Sequence, residues 1–144
     1  MKVRAMIEAK GDKVATTRPD TPIATVIHKL KLEGIGALVV TDEADRLAGI
    51  VSERDIVRAL VTHGGELLSM PVSQIMTRSV KTCTPEHDSN DVMTEMTNSR
   101  FRHLPVLDEG RLCGIISIGD VVKSRLEELE TETSVLREYI SGRS

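Results

Sequence analysis

The chain is nearly devoid of aromatic residues. Tryptophan is absent, and Phe101 and Tyr139 are the single phenylalanine and tyrosine among 144 residues. The core is therefore expected to be aliphatic, and a surface that stacks single-stranded bases on aromatic rings is disfavoured. Cysteine is scarce too. Cys83 and Cys113 form no CxxC pair and have no histidine-rich companion, which argues against a structural zinc site and for reduced, buried thiols. A basic excess is missing: 19 Lys and Arg stand against 22 Asp and Glu, a net charge of -3, so a nucleic-acid partner is not expected. No apolar run is long enough to span a bilayer, and the opening "MKVRAMIEAKGDK" lacks the apolar segment of a secretory signal. A cytoplasmic protein without membrane association is the expectation. There is also no phosphate loop of the Walker type and no nucleophile–base pair. His28, His63 and His87 lack metal-ligand spacing with carboxylates, so neither an enzyme nor a metal site is expected.

What the chain does have is enough hydrophobic material, 40%, to fill an interior, and 28% charged residues to cover it. It also has a repeat. Sliding the sequence by 66 places superimposes Val14 on Val80, Thr16 on Thr82, Pro19 on Pro85, Val26 on Val92, Leu38 on Leu104, Val40 on Val106 and Asp42 on Asp108. A one-residue difference in a turn changes the offset to 65. Arg46 then meets Arg111, Gly49 meets Gly114, Ile50 meets Ile115, Ser52 meets Ser117, Asp55 meets Asp120 and Val57 meets Val122. The phrase Gly-Ile-x-Ser-x-x-Asp is thus written twice, as "GIVSERD" and "GIISIGD".

Each copy has the pattern strand–helix–strand–strand–helix. A short strand, Val14–Thr16 or Val80–Cys83, runs to a proline. A helix follows with apolar Val26, Ile27 and Leu30, or Val92, Met93 and Met96. Two apolar strands are then joined by "DEADR" or "DEGR", and a last helix starts near Asp55 or Asp120. The fold class is α+β, two β-α-β-β-α repeats packed through their sheets with pseudo-two-fold symmetry. The first repeat, with a helical stub "VRAMIEA", occupies residues 1–65, a linker 66–79, and the second repeat 80–144. The long C-terminal helix carries Leu126, Leu129, Val135, Leu136, Tyr139 and Ile140, suited either to its own domain or to another chain.

The doubled "T-x-x-P" and "G-I-x-S-x-x-D" in this doubled context resemble the cystathionine-β-synthase (CBS) domain pair, or Bateman module, over nearly the whole chain. The resemblance implies a regulatory, non-enzymatic homodimer. Its ligands would be adenosine-containing nucleotides bound in the cleft between repeats: AMP foremost, with NAD(H), ATP or ADP as alternatives. No catalytic cofactor is implied, and occupancy would be passed to a downstream protein. The rival reading is an interaction scaffold or dimerisation module that works without ligand.

Carried over by position, Asp120 and Ser117 would work with Thr16, Ile35, Gly36 and Ala37, while Asp55 and Ser52 would work with Thr82, Phe101, Arg102 and His103. The chemistry fits: a carboxylate accepts two hydrogen bonds from a ribose diol, and a serine beside a helix N-terminus suits ribose or phosphate oxygens. Ser-x-x-Asp is equally a helix-capping pattern, and the two roles are compatible. Arg54, unmatched by Gly119, is a further phosphate candidate, and Arg100 is read as merely exposed. Because "FRH" faces one site and "GIG" the other, the two sites are expected to bind unequally.

Overall fold

The computed structural model describes residues 1–11 and 14–142. The first repeat comprises β1 (Thr16–Thr17), α2 (Ile23–Glu33), β2 (Ala37–Thr41), β3 (Leu47–Ser52) and α3 (Glu53–His63); helix α1 (Val3–Lys10) precedes it. The second repeat comprises α4 (Ser89–Ser99), β4 (His103–Asp108), β5 (Arg111–Ser117) and α5 (Ile118–Ile140), and two 3-10 turns, Gly64–Ser69 and Val72–Gln74, fill the linker. The expected α+β order is what the chain adopts.

Local chemistry explains the elements. In α2, Ile23, Val26 and Leu30 share one buried face, and the helix stops at Gly34, whose φ of 64° lets its N–H return to the carbonyls of Leu30 and Lys31. β2 is buried along its whole length, so it reads as a continuous apolar run. It pairs in parallel with β1 (Thr16 opposite Val39) and antiparallel with β3 (Val39 opposite Ile50). In the second repeat β4 pairs antiparallel with β5, Leu104 opposite Ile116.

The strand expected at Val80–Cys83 is reduced to a single bridge, Cys83 to Val106. The cause is Pro105, which stands where the first repeat has Val39. Its carbonyl accepts from the Cys83 N–H at 3.1 Å, but it has no N–H to return toward residue 81, so the ladder ends there.

The two cores are assembled crosswise. Val3, Met6 and Ile7 of α1 pack with Cys83, Val92, Met96, Leu104, Val106, Ile116 and Val121 of the second repeat. Leu67, Val72 and Met76 of the linker pack with Ile23, Val26, Leu38, Val40 and Val51 of the first. The docking bonds match as well: Val3 N–H donates to the His87 carbonyl and Val72 N–H to that of Thr21, at 2.9 and 2.8 Å. So α1, which leads the first repeat in sequence, completes the second in space. Burying each such aliphatic side chain is worth about 1.5–3 kcal/mol, so neither repeat's core is whole without the segment that precedes the other.

The repeated glycines serve this docking. A Cβ on Gly49 would lie 2.8 Å from the Thr77 carbonyl oxygen, and one on Gly114 would lie 3.0 Å from the Ile7 side chain. At both positions the close approach is made by the neighbouring chain segment.

Candidate functional site

Two clefts lie between the repeats, of about 780 and 540 Å³. Gly36 and His103 line both and form the wall between them. His103 opens β4 and is half-buried. Burial first, then the charge of Lys10, lower its pKa, with Asp120 and Glu53 pulling the other way and Arg102 lowering it further. The surroundings thus favour the neutral ring.

The smaller cleft collects Thr16, Ile35, Gly36, Ala37, Ser117 and Asp120, the whole set expected to act together. β1 delivers Thr16, the turn between α2 and β2 delivers Ile35 and Gly36, β2 delivers Ala37, and the β5–α5 junction delivers the last two. At that junction Ser117 caps α5: its hydroxyl accepts from the Asp120 N–H at 3.1 Å, and Asp120 Oδ2 accepts from the Ser117 N–H at 2.9 Å. Capping and display coincide, because the box fixes the rotamer that aims the carboxylate into the cleft. Lys10 also reaches Asp120 Oδ2, at 2.7 Å, and donates to the Ile115 carbonyl at 3.1 Å. Burial opposes ionisation of Asp120, but the bonds from Lys10 and Ser117 outweigh it and hold its pKa below the usual aspartate value. Lys29, which donates to the Thr16 carbonyl, and Glu33 complete the rim.

The larger cleft repeats the device with different charges. Ser52 caps α3, and Asp55 Oδ2 accepts from the Ser52 N–H at 2.8 Å and its hydroxyl at 3.0 Å. Arg54, Phe101, Arg102 and His103 share this cleft with them, as expected. Thr82 does not: Val80 and Lys81 line the wall in its place, and Thr82 lies exposed outside it. The shortened ladder at Pro105 is the reason, since nothing holds residue 82 in the position that β1 gives Thr16. Arg58, Lys81 and Arg100 also line the cleft, Arg100 being both exposed and part of the wall. Five cationic side chains (Arg54, Arg58, Lys81, Arg100, Arg102) thus face two carboxylates, Glu53 and Asp55. In the smaller cleft Lys10 and Lys29 are balanced by Glu33 and Asp120. The larger cleft suits an anion and the smaller one a ligand near neutrality.

Other candidates fall outside both clefts. His87 closes a local turn by accepting from the Thr84 N–H at 2.8 Å. Cys83 is a buried free thiol, and burial pushes its pKa up to about 11, far from a reactive thiolate. Among the described residues no cluster of His, Cys, Asp and Glu could hold a metal ion, and no helix is long and apolar enough to cross a membrane.

Lys10 was hidden from sequence reasoning because nothing in "VRAMIEAK" marks a helix that crosses to the other repeat. Arg58 carried a readable signal: it lies one turn beyond Arg54 on the same helix, so it projects toward the same side.

Comparison with known proteins agrees with this architecture. The sequence profile of the CBS domain matches twice, over residues 7–62 and 72–127. An uncharacterised 17.7 kDa protein of Acidianus ambivalens is 37% identical over 116 residues, 80% of this chain and 69% of that one. The mitochondrial CBS domain-containing protein CBSX3 of Arabidopsis thaliana is 37% identical over 138 residues, covering 93% of this chain and 66% of its own. The crystal structure of a CBS-domain protein from Agrobacterium tumefaciens superimposes with a TM-score of 0.84 at 43% identity, over 87% of this chain and 99% of that one. The CBS domain pair of protein MJ0100, solved with 5′-methylthioadenosine and S-adenosyl-L-methionine, superimposes with a TM-score of 0.78 at 25% identity, over 90% and 98%.

Proposed function

This chain belongs to the CBS-domain family and carries two CBS repeats, and on that premise we propose that it is a regulatory module that senses adenosine-containing ligands in the clefts between them. The observation that carries the reading is the pair of mirrored clefts, each presenting an aspartate held by a capping box, Asp55 in one and Asp120 in the other. In each the capping bonds fall on Oδ2, leaving Oδ1 without a hydrogen bond from any described residue and so available to a ribose hydroxyl. The methylthioadenosine and S-adenosylmethionine complex of the MJ0100 pair supports an adenosine moiety as the common element.

The charges divide the ligands. The larger cleft takes a phosphate-bearing nucleotide, AMP foremost and ATP or ADP next, with Arg54, Arg58 and Arg102 around the phosphate and Asp55 on the ribose. The smaller cleft takes an adenosine moiety of low net charge, its diol on Asp120, its base against Ile35, Gly36 and Ala37. The thin wall of Gly36 and His103 leaves NAD(H) as the alternative that would use both. The role is non-catalytic, in the cytoplasm, and carried out as a homodimer: α3 leaves Val57, Leu60 and Val61 exposed, as α5 leaves Val122 and Leu126, and a second copy would cover them. Occupancy would shift the population of two states of the module, and a downstream protein would read the difference.

Mass spectrometry of small molecules released from freshly purified protein tests this. An adenine nucleotide or nucleoside at up to two per chain supports the reading. A protein that purifies empty and takes up none of AMP, NAD(H), ATP or 5′-methylthioadenosine at millimolar concentration would sink it, and would favour the ligand-independent scaffold.

A further inference from the structure

Helix α5 does two things along its length. Its first turns bury Val121 and Ser124 against the second repeat, whereas residues 131–140 are exposed throughout. A second face, beside the buried one, is not polar. Val122, Leu126, Leu129, Leu136 and Ile140 lie on it, between 42% and 75% exposed, with Thr133 completing the row. Their spacing alternates four, three, four, three, four, the a and d seam of a heptad repeat: Leu126, Thr133 and Ile140 at a, Val122, Leu129 and Leu136 at d.

The residues flanking this seam decide the occupant. The g positions are Arg125, Glu132 and Tyr139, and the e positions are Lys123, Glu130 and Arg137. When two copies run parallel and in register, each g residue meets the e residue five places on in the other chain. Arg125 then meets the partner's Glu130, and Glu132 meets the partner's Arg137; both pairs are attractive. When the helices run antiparallel with the same apolar residues interleaved, Glu132 meets the partner's Glu132, Glu130 the partner's Glu130, and Lys123 the partner's Arg137. Every pair between charged flanking residues is then repulsive, and Arg125 meets the partner's Tyr139.

We propose that the C-terminal half of α5 pairs with the same helix of a second copy as a parallel, in-register two-stranded coiled coil. The seam has only six positions, fewer than an isolated coiled coil needs. Two globular domains already in contact would hold the helices at high effective concentration. The inference therefore gives the self-association proposed above an orientation and extends it to a part of the chain remote from the clefts.

The test is oxidative cross-linking of the full-length protein, with the wild-type protein, which retains Cys83 and Cys113, as the background. Leu136→Cys places a thiol on the seam and Val135→Cys places one on the outer surface. A symmetric disulfide dimer is expected to form severalfold more at 136 than at 135. The cross-link at 136 should fall in a Glu132→Arg background and return when Arg137→Glu is added, a rescue that only the parallel g-to-e pairing gives. Equal yields at 135 and 136, no dimer above the wild-type background, or no rescue would each overturn the proposal. Light scattering separates the two readings. Where the cross-link at 136 fails to form, a dimer in light scattering leaves self-association standing and removes this pairing, whereas a monomer removes both.

Discussion

Lys10 Nζ donates to Asp120 Oδ2 at 2.7 Å, tying the last turn of the N-terminal helix to the first turn of the C-terminal one at the mouth of the smaller cleft. The pair is partly exposed, 40% for the lysine side chain and 29% for the aspartate. Such pairs contribute about 0.2–1 kcal/mol. A ribose that takes both oxygens of Asp120 must displace this lysine, so α1 is positioned to respond to occupancy. Lys10→Ala is expected to tighten binding of uncharged 5′-methylthioadenosine, by up to about fivefold if the whole pair is lost on binding. Calorimetric titration of the two proteins measures it. Weaker binding in the variant would mean that Lys10 holds ligand instead of competing with it.

The charge difference between the clefts predicts a difference in salt response. AMP binding at the larger cleft should weaken severalfold between 50 and 300 mM salt, roughly in line with screening of exposed charges, and Arg58→Ala should weaken it further. Nucleoside binding at the smaller cleft should be nearly insensitive to both. Titrations at the two ionic strengths check this, and equal salt dependence at both clefts would contradict the assignment.

His103 predicts a pH effect. Burial and the nearby Lys10 charge lower its pKa in the folded protein, so the unfolded chain takes up the proton first, near pH 6.5. The contribution of the neutral ring is present above about pH 6.5 and is lost as pH falls through the lower folded value. An NMR titration of the His103 ring should give a midpoint below 6.5, and the thermal midpoint should drop more steeply with acid in wild type than in His103→Gln. A midpoint above 6.5 would show that Asp120 and Glu53 dominate the wall.

The glycines of the repeated phrase should differ in tolerance. Gly49→Ala drives a methyl against the backbone carbonyl of Thr77, which cannot move without breaking the Ile50–Thr77 bridge. A cost of about 1–3 kcal/mol is expected. Gly114→Ala meets the γ and δ carbons of the Ile7 side chain at 3.0–3.3 Å and no backbone atom; a side chain yields more readily than a bridged carbonyl, so its cost should be smaller. Thermal or denaturant unfolding ranks them, and the reverse order would contradict the packing described.

Much of this was legible in the sequence because the informative contacts are local or duplicated. Ser52 with Asp55 and Ser117 with Asp120 are three residues apart, so one capping geometry serves both and the repeat exposes it. Thr16, Ile35, Gly36 and Ala37 could be assigned to the opposite aspartate from the resemblance to the CBS pair. Two things were not legible. Lys10 arrives through the crosswise docking of α1, a tertiary choice made by Ile7 fitting over Gly114, with no local signature. Thr82 was misplaced because symmetry was carried over a position where it fails: Pro105 in the place of Val39 removes one N–H, shortens one ladder and lets residue 82 leave the wall.

The account rests on each aspartate serving its own cleft, and titration of AMP and 5′-methylthioadenosine into wild type, Asp55→Asn and Asp120→Asn measures that directly. Asparagine keeps the size and much of the cap while removing the charged acceptor, worth about 1.5–3 kcal/mol per hydrogen bond. Asp55→Asn is predicted to weaken AMP by roughly ten- to a hundredfold while leaving the nucleoside unaffected, and Asp120→Asn to do the reverse. Wild-type affinities in both variants, with both proteins folded, would contradict the account.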